Sequence, residues 1–153
     1  DSYDAQIMKQ EYAKFGCEIN AQVVTATEYV AQLIADGKLT AKAETHILAA
    51  CHDDDRLART FYEFAPIRAM AKAAGFAVTE MFNKERLAKS CGSAVALAYM
   101  ENIVERLAAG RWDDLLRTEA RVMVTANPQS YLCLAQAAPA NCRLVDIYST
   151  LAE

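Results

Sequence analysis

Apolar positions in this chain recur at three- and four-residue steps through most of its length, the spacing that gathers them on one side of a helix. The densest stretch is residues 90–110, SCGSAVALAYMENIVERLAAG, whose first half carries no charge and whose second half is charged on one side only. A helix that is apolar all round belongs in a core. The pattern therefore predicts a central helix over residues 91–109, with Met100, Ile103, Val104 and Leu107 as its inward stripe.

The other segments read as amphipathic helices packed around it. Residues 4–35 carry Met8, Tyr12, Phe15, Ile19, Val23, Ala26, Val30 and Leu33 at helical steps, and Asp36-Gly37 supplies a stop. Unbroken, such a helix is roughly 48 Å long at 1.5 Å per residue, against a diameter near 40 Å for a compact chain of this size. Either it breaks, with Gly16 as the natural point because glycine costs about 1 kcal/mol relative to alanine inside a helix, or its overhang is covered by a second copy of the chain.

Further helices are predicted over residues 41–51 with Thr40 as cap, residues 57–74 with a kink or restart at Pro66 and a stop at Gly75, and residues 80–89 behind Thr79. Residues 112–125 form another, closed by Asn127-Pro128. Two short helices, residues 130–137 and 141–151, flank Pro139. The expected fold is all-α: one helical domain over residues 1–153, a bundle of six to eight helices around the central one.

Composition agrees with a compact fold. Of 153 residues 54% are apolar, with five Gly and three Pro, which argues against disorder. The longest charge-free run, residues 122–142, is broken by Asn127, Pro128, Gln129, Gln136, Pro139 and Asn141, so no membrane span is expected. Net charge is −4, and residues 1–80 hold twelve acidic and eight basic side chains. No basic stripe is present, so nucleic acid is not an expected partner.

Five cysteines form no CxxC pair and no zinc spacing. Two readings follow: buried thiols in a reducing compartment, or two bridges and one thiol left over in an oxidising one. In the second reading Cys133 pairs with Cys142 across the Pro139 turn, Cys51 pairs with Cys91, and Cys17 is the free or intermolecular thiol. A chain opening at Asp1 suits a mature exported protein, periplasmic or secreted, which is set slightly ahead of a cytoplasmic one.

Candidate chemistry is sparse. Cys51-His52-Asp53-Asp54-Asp55 is where acid–base groups crowd together, and His52, Asp53 and Asp54 are the candidates for a polar site. The plainer account makes Asp53 or Asp54 a helix cap. His46 and His52 stand six apart, about 120° round a helix from each other, which prevents them from sharing a metal as an i, i+4 pair does. Cys91 at a helix start has no histidine near it in sequence, and Trp112 reads as a core edge. No catalytic residue, metal or cofactor is expected. The functional expectation is a non-enzymatic protein-binding module, self-associating or bound to a protein partner: an exported inhibitor, immunity factor or assembly subunit. The alternative is a helical bundle holding a small apolar ligand between residues such as Tyr12, Phe15, Phe61, Phe64, Tyr99 and Met100, or an enzyme whose site is assembled from distant residues.

Overall fold

The computed structural model describes residues 2–40, 46–96 and 101–152. Its centre is a four-stranded parallel sheet: β1 Leu48–Cys51, β2 Ala77–Thr79, β3 Val122–Thr125 and β4 Arg143–Asp146, in the order β2-β1-β3-β4. Ala49 of β1 stands opposite Val78 of β2 and Val122 of β3, and Met123 of β3 opposite Leu144 of β4. The all-α bundle is thereby corrected to an α/β fold.

Why the strands look helical is a matter of length and burial. A parallel sheet covered on both faces needs strands that are apolar throughout, not alternating. Leu48-Ala49-Ala50-Cys51 and Val122-Met123-Val124-Thr125 meet that need, and runs of four residues carry too little period to distinguish strand from helix. Ala49, Val122 and Val124 face one side, where α2 Ala26–Ala35, α4 Ala65–Ala73 and α7 Ile147–Ala152 cover them with Val30, Ile67, Met70 and Leu151. Ala50 and Met123 face the other, under α5 Glu101–Leu116 and α6 Pro128–Gln136, against Val104, Trp112, Leu115 and Leu134. Chain moves toward β2 place their helices on the first side, and moves toward β3 and β4 place theirs on the second, as a uniform crossover hand requires.

Several predicted helices change accordingly. Residues 4–35 are not one rod. The chain runs through α1 Ser2–Gln6, a π-turn Ile7–Glu11 and a 3₁₀ turn Tyr12–Phe15, and breaks at Gly16 in the left-handed region before α2 begins, capped by Thr25. The overhang that argued for a second copy disappears. In the segment 41–51 the described part is β1, and residues 41–45 lie outside the described residues. The 57–74 helix is two, α3 Asp55–Thr60 and α4, and Pro66 opens the second. Residues 80–89 keep only the 3₁₀ turn Glu85–Leu87.

The helix predicted over 91–109 lies later in the chain. Residues 91–96 are turns, residues 97–100, with Tyr99 and Met100, lie outside the described residues, and α5 runs on through Gly110 to Leu116. Its buried stripe is Val104, Ala108, Arg111, Trp112 and Leu115, while Ile103 and Leu107 face outward. It ends where the Thr118 hydroxyl takes over, donating to the Leu115 carbonyl and accepting from the Ala120 amide. Residues 112–125 and 141–151 are therefore each divided between a helix and a strand.

The turn before α5 packs closely on it. Gly92 has φ +92°, and a Cβ built there would lie 3.1 Å from Val104 Cγ1 and 3.2 Å from Val104 Cα. Gly37 has φ +67° but open space around it. Backbone strain and collision together predict that Gly92→Ala lowers the unfolding free energy by roughly 2–3 kcal/mol, and Gly37→Ala by only about 1 kcal/mol. Urea unfolding of the two variants checks this; equal losses contradict the close approach.

Candidate functional site

Chemistry concentrates at the carboxyl ends of the strands. Between β1 and β3 the chain leaves in opposite directions, over opposite faces, which makes this the switch point where open parallel sheets bind their ligands. His52, Asp53 and Asp54 follow β1, Glu80 follows β2, and Asn127 stands two residues past β3. The three adjacent sequence candidates lie at this end of β1, whereas His46 precedes β1 and lies at its other end.

Asp54 is buried and fully engaged. Its Oδ1 caps α3, accepting from the amides of Arg56 and Leu57 at 3.1 and 3.2 Å and from the Ser2 hydroxyl at 3.3 Å. Its Oδ2 accepts from Asn127 Nδ2 at 2.9 Å and Ser130 Oγ at 3.2 Å. Asn127 in turn caps α6 through its Oδ1, which accepts from the amides of Gln129 and Ser130. Of the two caps proposed for α3, Asp54 is the one that serves.

Asp53 points elsewhere, into an ionic lattice that is buried at Asp53, Arg111 and Asp114 and reaches solvent at Glu80 and Lys89. Its carboxylate accepts from Arg68 Nη1 at 2.7 Å and from the Glu85 amide at 2.7 Å, and Arg68 also grips Glu80 at 2.8 Å. Burial opposes the Arg68 charge, but its bonds to Glu80 and Asp53 outweigh that and hold the guanidinium more firmly protonated than usual. Arg111, 0% exposed, donates to His52 Nδ1 at 3.1 Å, to the Asn83 carbonyl at 2.6 Å and to Asp114. Asp114 also receives Lys89 at 2.7 Å and Asn83. Burial pushes the Asp114 carboxyl up, yet the hydrogen bonds of Lys89 and Asn83 prevail and hold it below its ordinary value. These links fasten the segment between β2 and α5 across the strand ends.

His52 occupies an unusual position in this lattice. Because Nδ1 accepts from Arg111, Nε2 carries the proton, and among the described buried side-chain atoms this Nε2 lacks a hydrogen-bond partner. The ring borders a cavity of about 10 Å³, shared with Thr27, Asp54 and Glu63, a space that suits one water. Glu63 there accepts from the hydroxyls of Thr25 and Thr27.

Outside this lattice a pocket of about 500 Å³ opens at the same strand ends. Asp54, Asp55, Arg56, Arg59, Asn127 and Gln129 line it, with Ser2 and Tyr3 of α1 on one rim and Ser93 on another. Its volume lies in the range of small-molecule sites, roughly 300–1,000 Å³. Arg56 stacks over the Tyr3 ring at 4.4 Å and donates to Gln6; Arg59 pairs with Asp55 at 2.6 Å and donates to the Ala88 carbonyl. Arg56, Arg59, Arg111 and Asn127 were not singled out from sequence. One signal was available: Arg111 falls seven residues after Val104, on the inward side of an amphipathic helix, where a charge needs a partner.

The cysteines correct the disulfide expectation. All five are free, so neither Cys133 with Cys142 nor Cys51 with Cys91 forms a bridge. Cys51 belongs to the cluster on the α4 side of the sheet, Cys91 and Cys133 to the cluster on the α5 side, Cys142 borders the latter, and Cys17 is exposed. Burial raises the thiols of Cys91 and Cys133 and pushes Cys51 up to about 12, which leaves none of the three an activated nucleophile. Trp112, read as a core edge, is wholly inside and donates its indole N–H to the Leu134 carbonyl at 2.9 Å. Among the described residues no helix is long and apolar enough to cross a membrane.

The chain is 29% identical over 134 residues to the probable iron-sulfur-binding oxidoreductase FadF of Bacillus subtilis (strain 168); the match covers 87% of this chain and 18% of that protein. No family profile and no solved structure matches. The chain spans less than a fifth of the curated relative's length. Similarity to part of an oxidoreductase, on an α/β frame, overturns the expectation of a non-enzymatic inhibitor, immunity factor or assembly subunit, and the sheet removes the helical bundle with an apolar ligand.

Buried first and set beside Arg111 second, His52 is held neutral, its pKa well below the ordinary 6.5. A depressed folded-state pKa gives stability that is complete above the unfolded value and lost as pH falls below it, because only the unfolded chain takes up the proton. Urea unfolding from about pH 7.5 to about pH 5.5 is expected to lose about 1.4 kcal/mol per unit below the unfolded pKa on account of this residue. His52→Gln, which can still accept from Arg111, removes that part of the slope. An unchanged slope in the variant contradicts the assignment.

Proposed function

We propose that this chain is the substrate-binding α/β unit of an oxidoreductase, and that the pocket between the ends of β1 and β3 receives a small anionic organic substrate. The observation that carries the reading is the pocket itself: it stands at the switch point of a parallel sheet, on a frame locked by buried hydrogen bonds, with two arginines on its wall. The similarity to part of an iron–sulfur-binding oxidoreductase supports the redox class. Arg56 favours a carboxylate, since a guanidinium offers a fork of N–H donors that matches two oxygens, whereas the nitrogens of Arg59 are turned to Asp55 and to the carbonyls of Arg86 and Ala88.

The division of labour follows from the contacts. Asp54 and Asn127 are spent on each other and on helix caps, so they shape the floor and do not react. Arg56, held over Tyr3, presents charge at the rim, and Asp55 holds Arg59 in place.

Succinate, fumarate and short α-keto acids, titrated into isotopically labelled protein, are expected to shift backbone resonances of residues 54–60, 93–94 and 127–129. Arg56→Ala is expected to weaken the binding of the responding acid about tenfold or more, a loss of about 1.4 kcal/mol. Shifts centred elsewhere, a response to nicotinamide nucleotides alone, or binding indifferent to Arg56→Ala contradicts the proposal.

A further inference from the structure

We infer that this unit holds no iron–sulfur cluster of its own, so that any such cluster serving a substrate bound here is housed outside residues 1–153. The inference stands on the placement of the sulfur and imidazole ligands and is independent of what the pocket binds.

Iron–sulfur clusters are held by cysteine thiolates, four to a cluster, with histidine replacing some of them in one class. The chain offers five cysteines and two histidines, and all seven lie within the described residues. They do not converge. The sheet separates Cys51, packed with Ile67 and Met70, from Cys91 and Cys133, packed with Trp112 and Leu134. Cys17 lies on the exposed segment after the Gly16 break, and Cys142 stands at the margin of the α5-side cluster.

The imidazoles add nothing. His46 and His52 stand at opposite ends of β1, and the Arg111 guanidinium occupies His52 Nδ1. Across the described residues no three of the His, Cys, Asp and Glu side chains form a group that could hold a metal. Where polar groups do converge, at Asp54, the neighbours are two hydroxyls, an amide and backbone N–H groups, all donating to the carboxylate and none of them a thiolate. Burial also disfavours the thiolate form of Cys51, Cys91 and Cys133, which is the form that ligates iron.

The chain, purified under anaerobic conditions, is incubated with ferrous iron, sulfide and dithiothreitol and then desalted. Bound iron, acid-labile sulfide, visible absorption and the electron paramagnetic resonance of the dithionite-reduced sample are measured. Background iron and sulfide with no thiolate-to-iron absorption is the expected result. Iron without sulfide that disappears in the Cys17→Ser, Cys142→Ser double variant also agrees, since it reports chelation by the thiols outside the core. Stoichiometric iron and sulfide that survive desalting, with visible absorption and a cluster resonance, overturn the inference. Because these readouts count metal and not affinity for an acid, this result and the failure of the substrate reading are distinguishable.

Discussion

A single buried carboxylate ties the working end of the molecule together. Asp54 joins the loop after β1 to the loop after β3 through Asn127 and to the first turn of α6 through Ser130, caps α3 through two backbone amides and receives the Ser2 hydroxyl of α1. A carboxylate removed from water without compensation is costly, by several kcal/mol. Here each oxygen meets more than one donor, so the charge is retained and its position becomes specific. Moving either loop would strand a buried charge, which is why the space between β1 and β3 keeps its shape.

The second support is the lattice of Arg68, Asp53 and Glu80 on one side and Arg111, Asp114 and Lys89 on the other. The pairs Arg68–Asp53 and Arg111–Asp114 are largely buried; such pairs contribute little net stability compared with apolar packing, but breaking one leaves its partner uncompensated. Their effect is therefore to fix geometry. The segment from Glu80 to Ser90 has only one short turn of regular structure, yet Glu80, Asn83, Glu85, Lys89 and Ser90 are each bound to a side chain of another element. A site held this way is organised before any ligand arrives, which lowers the ordering cost of binding. The placement of the cysteines fits such a role: they fill the core on either side of the sheet and leave the pocket to oxygen and nitrogen groups.

Local signals in the sequence were legible wherever one residue decides the outcome. Gly16 breaks the first segment, Pro66 restarts α4, Asn127-Pro128 separates β3 from α6, and an aspartate of the 53–54 pair caps α3. The sheet was not legible, because Leu48-Ala49-Ala50-Cys51 is built from good helix formers and its strand state is imposed by pairing with β2 and β3. The β-branched Val122, Val124 and Thr125 were the better clue. The polar site was half visible: His52, Asp53 and Asp54 are adjacent in sequence, but their partners Arg68, Arg111, Asn127 and Ser130 lie 15 to 76 residues away. Only the parallel order of the strands brings them together, and function followed the same limit, since chemistry made of distant residues leaves no motif to find.

The claim that Asp54 clasps two strand-end loops is tested most directly by a double-mutant cycle between Asp54→Asn and Ser130→Ala, with unfolding free energies taken from urea titrations. The two residues are 76 positions apart in the chain and are joined here by a hydroxyl donating at 3.2 Å. Contact across the switch point predicts a coupling energy of about 1 kcal/mol or more. Additivity to within about 0.3 kcal/mol would mean that the loops are not held together by this carboxylate.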